Sequence, residues 1–183
     1  RFELSREYPL LSYVTQFNET DAHFVQRWCE QEGLFWYVEH AHDSHCIVFT
    51  DSAMLLPTLN PSALRFHTQQ AADRQDSITQ WSPGARLLNG VVQSSSSDYL
   101  CHARSQITRT PALPASSAPP DLERYQYRGQ YAWQNPDRGD WLSRVQIEQD
   151  ESAARRIHGQ GGVRQMQPGH GFELTQHPLY EFK

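Results

Sequence analysis

Tyr13, Thr15 and Phe17 alternate with Val14 and Gln16, and alternation of period two predicts a half-buried strand over 12–17. Asn18-Glu19-Thr20-Asp21 comes next. Either Asn18 or Thr20 can cap the free N–H groups of a helix, whose positive end suits the two acids. Phe24, Val25, Trp28 and Cys29 then recur at helical spacing up to Gly33. This predicts a helix over about 20–32, closed by a glycine in the left-handed conformation. Two runs rich in aromatic and β-branched residues, Leu-Phe-Trp-Tyr-Val-Glu at 34–39 and His-Cys-Ile-Val-Phe-Thr at 45–50, flank a polar turn. They read as a β-hairpin packed on that helix.

From Leu64 the pattern becomes more polar. Strands are expected over 64–68, 77–81 and 85–93, punctuated by Ser82-Pro83-Gly84 and Asn89-Gly90. Short strands with frequent turns suggest part of a barrel or a twisted sheet rather than βαβ units. The serine run Ser94–Ser97 and the proline-rich stretch 110–121 read as exposed loops. Tyr125, Tyr127, Tyr131 and Trp133 alternate as an aromatic strand. A second helix is expected over about 140–158, with Leu142, Val145, Ala153 and Ile157 along one side and Gly159, Gly161 and Gly162 as its stop. Strands at 163–166 and 172–175 would flank the Pro168-Gly169 turn. The expected organisation is an α/β subdomain over 1–63, polar strands of a partial barrel over 64–110, a Pro-rich loop over 111–121, and an aromatic segment, helix and return strands over 122–183.

Composition qualifies this picture. Leu, Ile, Val and Phe make up about a fifth of the 183 residues, the lower edge for a chain that folds. Yet the net charge is only -5 and there are five Trp, eight Tyr and eight Phe, which disordered chains lack. A thin, aromatic-anchored interior is expected, with part of the apolar surface completed by a partner. The longest apolar stretches, Cys46–Phe49 and Leu34–Val38, fall far short of the roughly 20 residues that span a bilayer. Three cysteines without paired spacing argue against a disulfide framework. With Arg155-Arg156 the one adjacent basic pair, no basic footprint for nucleic acid is present. The start, Arg-Phe-Glu-Leu-Ser-Arg-Glu, has neither an initiating Met nor an apolar signal core, and reads as an excised piece.

Candidate chemistry is sparse. His40, His42, His45 and Cys46 are residue types that bind zinc or copper, but they fall on the hairpin turn, where polar residues are expected anyway. Ser94–Ser97, Asp98, Cys101 and His102 include the types of a nucleophilic triad. Neighbours on one loop, however, seldom converge in space as a triad requires. The glycines near 159 lack the Lys-Ser/Thr of a phosphate loop. No catalytic, cofactor-binding or metal-binding residue is therefore assigned, and no cofactor is expected.

The order of motifs carries more. Tyr13–Asp21, Phe24-Val25-Gln26-Arg27, Glu30-Gln31-Glu32-Gly33-Leu34, Tyr37-Val38-Glu39-His40 and Asp51-Ser52 resemble the N-terminal hub signature of type VI secretion spike proteins of the VgrG type. Those proteins share their hub fold with baseplate hubs of contractile phage tails. Gly159–Val163, then Arg164-Gln165-Met166-Gln167-Pro168-Gly169 and Phe172-Glu173-Leu174-Thr175-Gln176-His177-Pro178, is similar to the family's return strand. Trp28, Gln31 and Met166 depart from the usual Leu, Glu and Leu. The resemblance implies an α+β, β-rich hub fold of β-barrel (tube) elements with an inserted helix-plus-hairpin subdomain. Its further barrel, OB-fold and needle would lie outside this stretch. The implied role is structural: in the full-length parent, a homotrimer that docks on the Hcp tube hexamer, bears a needle or tip protein and effectors, and is assembled in the bacterial cytoplasm before injection. A phage-tail hub is the alternative reading, and a cell-wall hydrolase acting through dispersed carboxylates or the Ser94–His102 loop is a third. Binding to nucleic acid or stable insertion in a membrane is not expected.

Overall fold

The computed structural model describes residues 1–11, 13–68, 75–98, 106–113, 119, 121–133 and 135–179. In chain order these form β1 (Phe2–Glu3), α1 (Asp21–Glu32), β2 (Phe35–His40), β3 (His45–Thr50), a 3-10 turn (Ala53–Leu55), β4 (Thr58–Phe66), β5 (Ser77–Ala85), β6 (Val91–Ser97), β7 (Gln106–Pro111), β8 (Glu123–Gln130), α2 (Pro136–Ala154), β9 (Arg155–Gly162) and β10 (Gly171–Thr175). The chain is α+β and strand-rich. Its strands make three sheets, ordered β1-β3-β2, β10-β4-β5-β9 and β7-β6-β8, and among the described residues none closes into a barrel. Two compact units emerge, the first from Arg1–Glu30, Leu34–Ser82 and Ile157–Lys183, the second from Gln31–Gly33 and Pro83–Arg156.

In the first unit, every residue of Asn18-Glu19-Thr20-Asp21 has a structural task. Asn18 turns the chain with φ 49°. Thr20 is the cap, its Oγ1 accepting from the His23 N–H at 3.2 Å. Asp21 opens the helix and accepts from the Gln16 amide at 2.8 Å. Glu19 is clamped by Arg27, whose Nη2 and Nε reach its carboxylate at 2.6 and 3.2 Å, with His23 Nδ1 at 2.8 Å. The Arg27 guanidinium also lies over the Phe24 and Trp28 rings. Of the expected strand 12–17, Ser12 lies outside the described residues and residues 13–17 are not a strand, contrary to their alternation, because no strand among the described residues runs beside them to complete a ladder. They are tied instead by polar bonds to the helix start, such as Arg27 Nη2 to the Thr15 carbonyl.

The hairpin forms where expected and its register pairs Phe35 with Thr50 through to His40 with His45. Tyr37, Val48 and Thr50 are buried on one face, where the His170 ring packs edge-on against Tyr37. Asp51, just past β3, accepts from the Ser5 N–H at 2.8 Å and the Tyr8 hydroxyl at 3.1 Å, and Ser52 caps the 3-10 turn. In the four-stranded sheet, Leu59, Leu64, Ile78 and Leu174 form the core, with Phe66, Trp81, Val163 and Phe172 packed against them.

Three sequence expectations fail around this sheet. Ser82-Pro83-Gly84 does not break a strand, for β5 runs straight through to Ala85. The glycines expected to stop a helix lie inside β9, because α2 has already ended at Ala154. Gly161 sits so close to β5 that a Cβ would come within 2.8 Å of the Ile78 Cα, so glycine here permits strand contact rather than ending a helix. Residues 163–166 form a turn, not a strand, where Asp76 takes bonds from the Arg164 N–H and Nε, both at 2.9 Å.

In the second unit, α2 begins earlier than expected. Asn135 caps it by accepting from the Asp137 N–H at 3.0 Å, and Pro136 opens its first turn. Its buried face comprises Gly139, Leu142, Ser143, Val145, Ile147 and Ala154, so Ile147 and Ala154 take the places expected of Ala153 and Ile157. Val92, Ser94 and Ser96 of β6 and Thr108 of β7 share one sheet face by register, and all four are buried. Thr108 and Ser143 join hydroxyls at 2.6 Å, fixing that face to α2. Arg124 of β8 pairs with Asp150 of α2 at 3.1 Å. The last turn of α1 also groups here. Glu32 takes a bidentate grip from Arg138, one arm at 2.7 Å, and Gly33 adopts φ 78° against Val145. The serine run is thus the central strand of a sheet rather than a loop, because its hydroxyls find partners more than thirty residues away.

Two predictions follow from these joints. A Cβ at Gly139 would lie 2.7 Å from the Trp133 indole and 2.8 Å from Thr108 Cγ2. Overpacking outweighs the better helix propensity of alanine, so Gly139→Ala should lower stability by about 1–2 kcal/mol, read as a lower urea midpoint. The second concerns acid. Arg27 holds the Glu19 carboxyl below its usual range, and the Arg164 N–H does the same for Asp76. Burial alone would raise Asp51, but the bonds from Ser5 and Tyr8 bring it below. These groups stabilise the fold above the unfolded carboxylate range near pH 4, and that contribution is lost as pH falls through the lower folded values. Melting temperature should therefore drop below about pH 4. Glu19→Gln should melt lower at pH 7 and respond less to acid; a wild-type acid profile in that variant would contradict the clamp.

Candidate interaction surfaces

With α2 on one face of β7-β6-β8, the other face is open among the described residues. By register it carries Val91, Gln93 and Ser95 of β6, Ile107, Arg109 and Pro111 of β7, and Glu123, Tyr125 and Tyr127 of β8. Tyr125 lies opposite Gln93 but joins its hydroxyl to Ser95 Oγ at 2.7 Å. Tyr127 lies opposite Ser95 and joins Ser97 Oγ, again at 2.7 Å. Both side chains therefore lean along the sheet and across β6, with hydroxyls engaged and ring surface left to solvent. Ser95 is buried beneath them while Tyr125 and Tyr127 stay more than half exposed. Arg109 and Glu123, from the two outer strands, approach to 4.0 Å across Val91, which is buried. The result is a flat pavement of two fixed rings, Ile107 and an internally balanced ion pair.

The hairpin sheet of the first unit has a comparable face. Opposite the buried Tyr37, Val48 and Thr50 lie Trp36 and Val38 of β2, Ile47 and Phe49 of β3, and Phe2 of β1. The Phe2 and Phe49 rings stack with centroids 5.2 Å apart, and the Trp36 indole N–H donates to Gln26 at 2.8 Å. Phe2, Trp36 and Ile47 are exposed.

The residues weighed for chemistry lie elsewhere. His40 and His45 are paired at the exposed end of the hairpin, and His42 bonds its neighbour Asp43 at 2.6 Å. Ser94–Ser97 are strand residues, Ser96 accepting from the Ala132 N–H and donating to the Gly129 carbonyl, both at 3.0 Å. Cys101 and His102 lie outside the described residues. Burial raises the Cys29 thiol pKa, and Glu30 adds to the rise, opposite to what a nucleophile needs. Burial, with Arg124 nearby, lowers the Arg128 pKa. Neither open face could be found from short motifs, although the alternation of Tyr125 and Tyr127 signals one of them.

Residues 1–182 match the phage tail baseplate hub (GPD) family. Type VI secretion system spike protein VgrG4b of Pseudomonas aeruginosa is 30% identical over 184 residues, covering all of this chain and 22% of that protein. VgrG5 of the same organism is 28% identical, again over the whole chain and 23% of its own length. VgrG1a, also from that organism, is 28% identical over 96% of the chain and 27% of its length. The chain thus spans about a quarter of the curated relatives it matches. No helix among the described residues is long and apolar enough to cross a membrane. Glu19, Thr20, Gly33, Asp51 and Ser52, part of the motifs on which the resemblance rests, are joints that set the fold, and the family match across almost the full length of the chain places it: it belongs to the phage tail baseplate hub (GPD) family.

Proposed function

We propose that the chain is a structural, non-enzymatic hub region of a type VI secretion spike. It would work as a homotrimer docked on the Hcp tube hexamer, carrying a needle or tip protein and effectors, assembled in the cytoplasm and then injected. The observation that carries this reading is the match of residues 1–182 to a baseplate hub family, together with relatives named as type VI spike proteins over the same stretch. The open aromatic faces support it, since a subunit that completes its burial against neighbours leaves such faces uncovered as a single chain. Tube elements that close only in the assembly, and the four-part organisation expected from the sequence, belong to the same proposal.

A phage-tail hub is the second reading, favoured by the name of the matching family. Light scattering on the full-length parent protein should give three copies per particle, and a stable monomer of that parent would overturn the hub role. Capture by hexameric Hcp rings separates the two readings, since a spike binds them and a phage-tail hub does not.

A further inference from the structure

We propose that the two open sheet faces are the two halves of one contact between copies of this chain. The Phe2/Trp36/Ile47/Phe49 face of one copy packs on the Tyr125/Tyr127/Ile107 face of the next. The inference rests on the multimeric reading above and deepens it by naming the surfaces.

Three observations point to a second copy as the occupant. First, the faces match in kind: each is one side of a three-stranded sheet whose other side is already covered. Flat sheet faces of this sort pack on one another, as in a sandwich. Second, they match in polarity. On the tyrosine face both hydroxyls are bonded within the chain and Arg109 is balanced by Glu123. On the other face the side chains at the middle are Phe2, Trp36, Ile47 and Phe49. Neither surface calls for a charged partner.

Third, they match in extent. Phe2 and Trp36 are 69% and 47% exposed, and Tyr125 and Tyr127 60% and 54%. At roughly 200 Å² per aromatic side chain, each pair leaves about 230 Å² open. Even with Ile47 and Ile107 added, neither face reaches the roughly 800 Å² per partner of a stable interface, so the contact is one part of a larger one and has to be tested in the full-length parent protein. Because two different faces meet, the contact is head-to-tail, the type that closes into a ring when its rotation permits. Rigid tyrosines suit it, since little side-chain freedom is left to lose on binding.

The test uses the full-length parent protein with Cys46, Cys101 and the accessible cysteines outside this stretch changed to Ser. Ile47→Cys and Tyr127→Cys are introduced singly and together, then treated with a flexible bis-maleimide. The double variant should give a covalent ladder up to the copy number found by light scattering, and each single variant no crosslinked dimer. A crosslinked dimer from either single variant would mean like faces meet and would overturn the head-to-tail contact. A multimer in which the double variant gives no ladder overturns the pairing of faces and leaves the hub reading standing, whereas a monomeric wild type removes both. As a second readout, Ile47→Lys and Tyr127→Glu should each raise the concentration for half-assembly at least about tenfold, the scale of losing one central interface residue. Combined in one chain they should restore much of it, because the new charges meet across copies. Melting curves of these variants check that the substituted chains stay folded, and a combination no better than the worse single variant overturns the inference.

Discussion

A shortage of large aliphatic side chains governs this molecule. Leu, Ile, Val and Phe together make up only about a fifth of the residues, so hydrocarbon can cover one face of a small sheet but not both. In the second unit the face beneath α2 is itself half polar, with Ser94, Ser96 and Thr108 beside Val92. Hydroxyl pairing does part of the work that hydrocarbon does elsewhere, as in the Thr108–Ser143 bond at 2.6 Å. A net hydrogen bond contributes about 1 kcal/mol, less than a fully buried Leu or Ile. Ser94 Oγ and Gln126 Oε1 are buried without a partner among the described residues, a cost of roughly 1–3 kcal/mol for each group left so. Such a seam fixes one alignment of helix on sheet more firmly than it adds to stability.

Where the local sequence alone decides the outcome, reading it works. The cap at Thr20, the apolar spacing from Phe24 to Cys29 and the left-handed Gly33 define α1 nearly to the residue. The hairpin is equally legible, since two dense β-branched and aromatic runs around a polar turn have few other ways to pair. The motif that resembles a family reads clearly for the same reason. Asn18 through Asp21 are four adjacent residues serving one helix start.

Where the partner lies far along the chain, local reading gives the wrong answer. Four consecutive serines have low strand propensity and no alternation, yet they form the middle of a sheet because Tyr125 and Tyr127 supply hydroxyl partners thirty residues on. The glycines of β9 look like a helix stop, but Gly159 and Gly161 lie against β5, where a side chain would meet Trp81 or the Ser77–Ile78 backbone. In the opposite direction, Tyr13 to Phe17 alternate well and still make no strand, as alternation specifies a face but cannot provide the neighbour. The open faces share this illegibility. Which side of a sheet stays uncovered depends on where helices and loops from elsewhere in the chain come to rest.

This separation of tasks bears on the structural role proposed for the chain. The residues that make it recognisable, Glu19, Gly33, Asp51 and Ser52 among them, are committed to internal joints. The rings of the aromatic pavements are held by bonds from Tyr125, Tyr127 and Trp36 and by the stacking of Phe2 on Phe49, and Phe2, Trp36, Tyr125 and Tyr127 still present much of their surface to solvent. Change at a joint therefore acts through stability, whereas change on a pavement can alter association while the fold persists. What a neighbour requires of a flat neutral face is shape and low polarity more than any one side chain, so such a face tolerates substitution that a joint does not.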